Sequence, residues 1–81
     1  SSPEKYERVS EFLSSFNSLV FDFMASKKAA EISQQLTSKG IIIDMGDIMI
    51  AAICILKGES LLTRNTKHFS KIPGLKIESF S

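Results

Sequence analysis

The stretch from Gly40 to Gly58 reads GIIIDMGDIMIAAICILKG, and its interpretation decides the fold. Gly40 ends the preceding segment in the manner of a helix C-cap, and Gly58 ends the stretch itself. Between them, Ile41 to Ile43 is apolar and β-branched, which suits a short strand or an extended connector. Asp47 opens a helix that runs to about Leu56. Its residues are apolar nearly all round: Ile48, Met49, Ile50, Ala51, Ala52, Ile53, Cys54, Ile55 and Leu56. A surface helix would carry a polar face, so this one is expected to be buried on most sides.

Upstream, Met24 to Ser38 reads as a second helix. Ala25, Ala29, Ile32 and Leu36 form its buried stripe, with Lys27, Lys28, Glu31, Gln34 and Gln35 outside it. Before it, Ser18 to Phe21 is a short apolar run that reads as a strand. The first helix is expected over Ser2 to Phe16, with Ser2 as N-cap, Pro3 at the first helical position and Glu4 in the first turn. Tyr6, Val9, Phe12 or Leu13, and Phe16 recur at helical spacing, and Asn17 supplies a stop. Downstream, Ser60 to Thr63 reads as a strand and Arg64 to Ser70 as a polar loop or short helical turn. Pro73-Gly74 marks a turn, and Leu75 to Phe80 alternates as a final strand. Strands alternating with helices predict the α/β class, a parallel sheet flanked by helices, in one unit spanning residues 1–81.

Composition narrows the function classes. The chain has 81 residues, 43% of them apolar and 23% charged, as in an ordinary soluble domain. A net charge of +1 gives no global attraction for nucleic acid, so any affinity for phosphate must be local. No apolar run approaches the roughly 18 residues of a membrane span, and no signal peptide is evident. Cys54 is the only cysteine. A lone thiol in an apolar stretch reads as a small core residue in a reducing, cytoplasmic compartment.

Two features are placed where an open parallel sheet binds ligands, beyond the carboxyl ends of its strands. One is Asp44-Met45-Gly46-Asp47, ahead of the apolar helix. The other is Thr63-Arg64-Asn65, at the exit of the following strand. If the two ends meet, Asp47 and Asn65 offer oxygen donors of the kind Mg²⁺ and Mn²⁺ accept. An Asp before a helix is equally a common N-cap, and an Asn after a strand a common turn residue. Asp44 can simply face solvent, Asp22 suits an N-cap, and the glutamates read as solvated surface. Arg64, Lys67, His68 and Lys71 gather positive charge in one loop, able to hold RNA phosphates or simply to be solvated. His68 has no second His or Cys at ligand spacing, which argues against zinc. A surface or packing role fits it better than that of a general base.

The stretch Gly40 to Ala52 resembles the signature of PIN-domain ribonucleases of the toxin–antitoxin (VapC) type: an acidic residue, an apolar pair and Ile-Ala-Ala. Leu61-Leu62-Thr63-Arg64-Asn65-Thr66-Lys67-His68-Phe69 resembles the family's strand ending in Thr-x-Asn or Thr-x-Asp, with Phe four residues on. Ile72-Pro73-Gly74-Leu75-Lys76-Ile77-Glu78 looks like its closing turn and edge strand, and Phe21-Asp22 like its lead-in. Four matches in order cover most of the chain.

The resemblance implies a metal-dependent endoribonuclease. Asp47 and Asn65 would be its catalytic and metal-ligating residues, with Mg²⁺ or Mn²⁺ as cofactor and Arg64 and Lys67 against the RNA. It also implies a cognate antitoxin and a homo-oligomer formed through the first helix. Two departures stand out. His68 occupies a position where many relatives carry Asp, and nothing matches the family's first strand, with its Asp, or the Glu-bearing helix after it. The chain resembles about the last three-fifths of such a domain, by counting elements. The expectation is therefore the C-terminal part of a PIN-like domain lacking its first central strand. Alone it should bind metal poorly and not cleave RNA. The alternative is an inactive, truncated module used for binding or dimerisation.

Overall fold

The computed structural model describes residues 3–79, with side chains from Glu7 onward. Five elements follow one another: α1 (Pro3–Ser38), α2 (Met45–Lys57), β1 (Leu61–Leu62), α3 (Thr66–Phe69) and β2 (Ile77–Glu78). The expected N-cap Ser2 and the strand end at Phe80 lie outside the described residues, and the side chain of Tyr6 is likewise not described.

The first two predicted helices are one. α1 runs unbroken for 36 residues, through Asn17 and through the run Ser18–Phe21 that was expected to be a strand. Asp22, expected as an N-cap, is an exposed residue inside this helix. The physical reason is hydrogen bonding. A strand must find a partner edge for its N–H and C=O groups, whereas a helix satisfies them within itself. No described strand lies beside Ser18–Phe21, because β1 pairs with β2.

The C-terminal half of α1 is where the core sits. Ala25, Ala29, Ile32 and Leu36 are each 2% exposed, as their spacing predicts. Ala29, Ile32 and Leu36 meet Ile48, Ala51 and Ala52 of α2, and Phe69 and Ile72 complete the cluster. Alanines on both helices permit a close approach. Both helices end in the same closing motif. At α1, Gly40 adopts φ 73°, its N–H donates to Thr37 O at 2.9 Å, and Ile41 N–H donates to Leu36 O at 2.9 Å. Gly58 repeats the arrangement at the end of α2, with φ 67°.

α2 begins at Met45, two residues before the expected Asp47, because Asp44 is its cap: the Asp44 carboxylate accepts from Gly46 N–H at 3.1 Å. Asp44 is thus a structural residue rather than one that merely faces solvent. α2 is also less enclosed than its composition suggested. Only Ile48, Ala51 and Ala52 are buried, and Ile50 is 45% exposed. α1 and the Phe69–Ile72 layer cover one side of α2, not all of it.

The segment Ile41–Ile43 is a connector, with Ile41 and Ile43 packed on the core and Ile42 exposed. The predicted strands Ser60–Thr63 and Leu75–Phe80 are real but short. β1 and β2 pair in parallel, Leu61 with Ile77 and Leu62 with Glu78. The class is therefore α/β with a small parallel sheet, and α3 forms the connection between its strands.

Leu13, Phe16, Leu19 and Phe23, in the part of α1 ahead of the core, are each more than half exposed. The radius of gyration, 16.9 Å, reflects this extension; a compact chain of this length would have about 12 Å. No helix among the described residues is long and apolar enough to cross a membrane.

Candidate functional site

Asp44 decides what Asp47 can do. With the N-cap position filled by Asp44, Asp47 lies inside the first turn of α2 and is not needed to cap it. Its carboxylate instead meets the loop after β1. His68 Nε2 lies 2.9 Å from Asp47 Oδ2, with 26% and 36% of the two side chains exposed. An acidic group in a first turn is favoured by the helix dipole, so Asp47 is well placed electrostatically as an anion.

The loop is ordered by its own bonds. Thr63 Oγ1 accepts from Asn65 N–H at 3.0 Å and turns the chain as it leaves β1. Asn65 stands at the N-cap position of α3, yet its side chain makes no capping bond. Its carbonyl accepts from Phe69 N–H at 3.2 Å, and Thr66 O accepts from Ser70 N–H at 2.8 Å. Phe69 is buried in the core and anchors this single turn. The His68 ring meets Phe69 edge-on, with centroids 5.0 Å apart at 83°.

The structure joins the first turn of α2 to the turn after β1 through the contact of Asp47 with His68. The His68–Asp47 bond ties α3 to the first turn of α2, and Asn65 stands at the N-cap position of α3. His68, expected to have a surface or packing role, packs edge-on against Phe69 and also contacts Asp47. Its partner lies 21 positions away, a separation at which local spacing carries no signal. Arg64 and Lys67 are both exposed on the same loop. A shallow cleft on the α1–α2 seam, lined by Phe23, Met24, Lys27, Lys28, Glu31 and Leu56, contains none of these residues.

Asp47 and Asn65 carry oxygen atoms, the donor type that Mg²⁺ and Mn²⁺ accept. Among the described residues, no three acidic, His or Cys side chains gather closely enough to hold a metal ion by themselves.

Comparison with known proteins places this chain in a family. The PIN domain model matches residues 2–75. The chain is 33% identical over 69 residues to Ribonuclease VapC2 of Rickettsia felis, covering 85% of this chain and 52% of that protein. It is 33% identical over 79 residues to the tRNA(fMet)-specific endonuclease VapC of Salmonella typhimurium, covering 96% of this chain and 60% of that protein. It therefore spans little more than half the length of these curated relatives.

Two solved structures share its fold. One is VapBC2 from Rickettsia felis bound to a DNA fragment from their promoter, with TM-score 0.69, 31% identity, and coverage of 99% of this chain and 62% of that one. The other is DNA-bound VapBC from Salmonella typhimurium, with TM-score 0.68, 32% identity, and coverage of 73% and 45%. With the family model matched over nearly its whole length, and ribonuclease toxins among its relatives, the chain belongs to the PIN domain family, as a VapC-type PIN domain.

Proposed function

We propose that this chain is part of a divalent-metal-dependent endoribonuclease of the VapC type that hydrolyses RNA phosphodiesters. The observation that carries the reading is the convergence of Asp47, in the first turn of α2, with the Thr63–His68 turn after β1, in a chain similar to named ribonucleases. Asp47 and Asn65 hold Mg²⁺ or Mn²⁺ through oxygen. When bound, the cation supplies Lewis acidity toward the phosphodiester and a more acidic water. Arg64 and Lys67, exposed on the adjoining loop, bind RNA phosphates and orient the strand without reading its bases.

A partial donor set holds a cation weakly, so the 81-residue chain by itself is proposed to bind metal poorly and not to cleave RNA; further carboxylates are needed to complete the site. An antitoxin is proposed as partner, since two of the similar solved structures are of VapBC. A cytoplasmic location agrees with an RNA substrate and with the free thiol of Cys54.

A second reading has its own support. Phe12 and Phe16 on α1 are 67% and 53% exposed and stack with centroids 6.4 Å apart. Exposed aromatic surface of this kind favours self-association or partner binding. On this reading the chain is an inactive PIN module kept for binding or dimerisation. The deciding experiment incubates the purified chain with a fluorogenic RNA and Mg²⁺, beside Asp47→Asn and Asn65→Ala. Mg²⁺-dependent cleavage abolished by Asp47→Asn would establish the nuclease and refute the proposed inactivity of the isolated chain. No cleavage by the isolated chain is expected on both readings; weak Mn²⁺ binding that is lost in Asp47→Asn then supports the nuclease fragment, and a dimer in sedimentation that binds no Mn²⁺ favours the binding module.

A further inference from the structure

α1 carries two apolar faces on opposite sides. At roughly 100° of rotation per residue, Phe12, Leu13, Leu19, Val20 and Phe23 all fall within about 60° of Phe16. These six are between 40% and 69% exposed. The buried stripe Ala25, Ala29, Ile32 and Leu36 falls about 140–180° round the helix from Phe16. Ala29, Ile32 and Leu36 pack with α2 on that side. The chain's own core therefore lies behind the exposed face and does not cover it.

The face has the form of a helix seam. Its residues recur in steps of three and four, the spacing against which a second helix packs along its whole length. Its charges are one-sided. Arg8 and Lys27, both exposed, fall within about 80° of Phe16, one toward each end. Glu7, Glu11 and Asp22 fall about 120° or more away, on the other side of the helix. Glu31, beyond Lys27, pairs with Lys28 at 3.6 Å. At the C-terminal end the face runs into the shallow cleft that Phe23, Lys27, Lys28 and Leu56 help to line, and Lys57 lies 5.7 Å from the centre of the Phe21 ring. Two copies packed on this face would set cation against cation. In antiparallel pairing about Phe16, Arg8 of one copy comes within about one turn of Lys27 of the other. In parallel pairing each meets itself.

We propose that this face of α1 is a docking surface for an amphipathic helix of another protein, one with acidic residues at both ends of its apolar stripe. Those acids are about 28 Å apart, the Arg8–Lys27 span at 1.5 Å per residue. The phenylalanines are the anchors, since aromatic side chains dominate such helix contacts, and the end charges select the partner. Self-association through Phe12 and Phe16 is then the weaker use of the same face. The proposal needs neither metal nor RNA and stands apart from the nuclease reading.

The test titrates the 81-residue chain into two fluorescein-labelled helical peptides and follows anisotropy. Both peptides carry the same leucine stripe; one has Glu at both ends and the other Lys. The Glu-ended peptide should bind about five- to ten-fold tighter at low salt. The difference should shrink near 1 M salt, where the Debye length is about 3 Å. Phe16→Ser, at an exposed position, should lose both peptides while circular dichroism holds. The double change Arg8→Glu with Lys27→Glu should reverse the preference, and Arg8→Gln with Lys27→Gln should erase it. Equal binding of the two peptides overturns the proposal, as does a preference that neither double change moves. Binding that survives Phe16→Ser places the peptide elsewhere and refutes the docking face. A dimer in sedimentation that the Glu-ended peptide does not displace makes a second copy the occupant, and that also refutes it.

Discussion

Two aspartates three positions apart are expected to fail in opposite ways when altered. Asp44 accepts from Gly46 N–H at 3.1 Å and caps α2. Replacing it with Ala leaves that N–H without its protein partner. Loss of an N-cap costs about 1 kcal/mol, within a range of about 0.5–2. With a urea m-value near 1 kcal/mol/M for a chain this small, the unfolding midpoint should fall by about 1 M. Asp47 contributes less to folding. Its partner His68 is a quarter exposed and the carboxylate about a third exposed, and exposed pairs of this kind contribute about 0–1 kcal/mol. The amide oxygen in Asp47→Asn still accepts from Nε2–H, so the midpoint should move by less than half as much. Metal binding inverts the order: Asp47→Asn should abolish Mn²⁺ binding, while folded Asp44→Ala should keep it. Urea unfolding by circular dichroism and Mn²⁺ titration on the same samples read both effects. If Asp47→Asn destabilises as much as Asp44→Ala, Asp47 is a structural residue and the assignment of roles to the two aspartates is wrong.

Leu36→Ala should cost about 3 kcal/mol, as expected for a buried Leu, and bring a chain of this size close to unfolding at room temperature. Leu19→Ala, at a position 69% exposed, should stay within about 0.5 kcal/mol in the same urea titration. The double change Phe12→Ser with Phe16→Ser should lower the fraction of dimer in sedimentation velocity while helix content at low concentration holds; an unchanged association constant would remove this face from the interface. Lys67→Glu should weaken the binding of single-stranded RNA and flatten its dependence on salt, with the unfolding midpoint unmoved.

What the sequence carried on its surface was the local part. The stripe Ala25, Ala29, Ile32 and Leu36 repeats at helical spacing and is buried throughout. Gly40 and Gly58 announce helix ends because few other residues accept a positive φ. Ser18 to Phe21 is different: an apolar, partly β-branched run becomes a strand only if an edge lies beside it, and local composition cannot report the edge. The same holds for the site. The residue types at Asp47 and Asn65 suggested hard-cation chemistry, but spacing alone could not tell which of two aspartates was the cap. Nor could it show that His68 reaches across from another element to Asp47.

The single long helix has a consequence for how protection from solvent is distributed. Around Ala29, Ile32 and Leu36 its amides sit over the core and open only when the core opens; around Leu13 and Leu19 no described layer covers them. Each backbone hydrogen bond of α1 has the same local chemistry, yet the free energy needed to break it rises toward the packed end. In deuterium exchange of the unaltered monomer, one continuous helix should therefore show a gradient of rates: fast near Val9, slower past Phe23, and slowest at Ile32 to Leu36. A partner that covers the apolar face would flatten that gradient from its fast end, and so reveal its footprint residue by residue without any reference to catalysis.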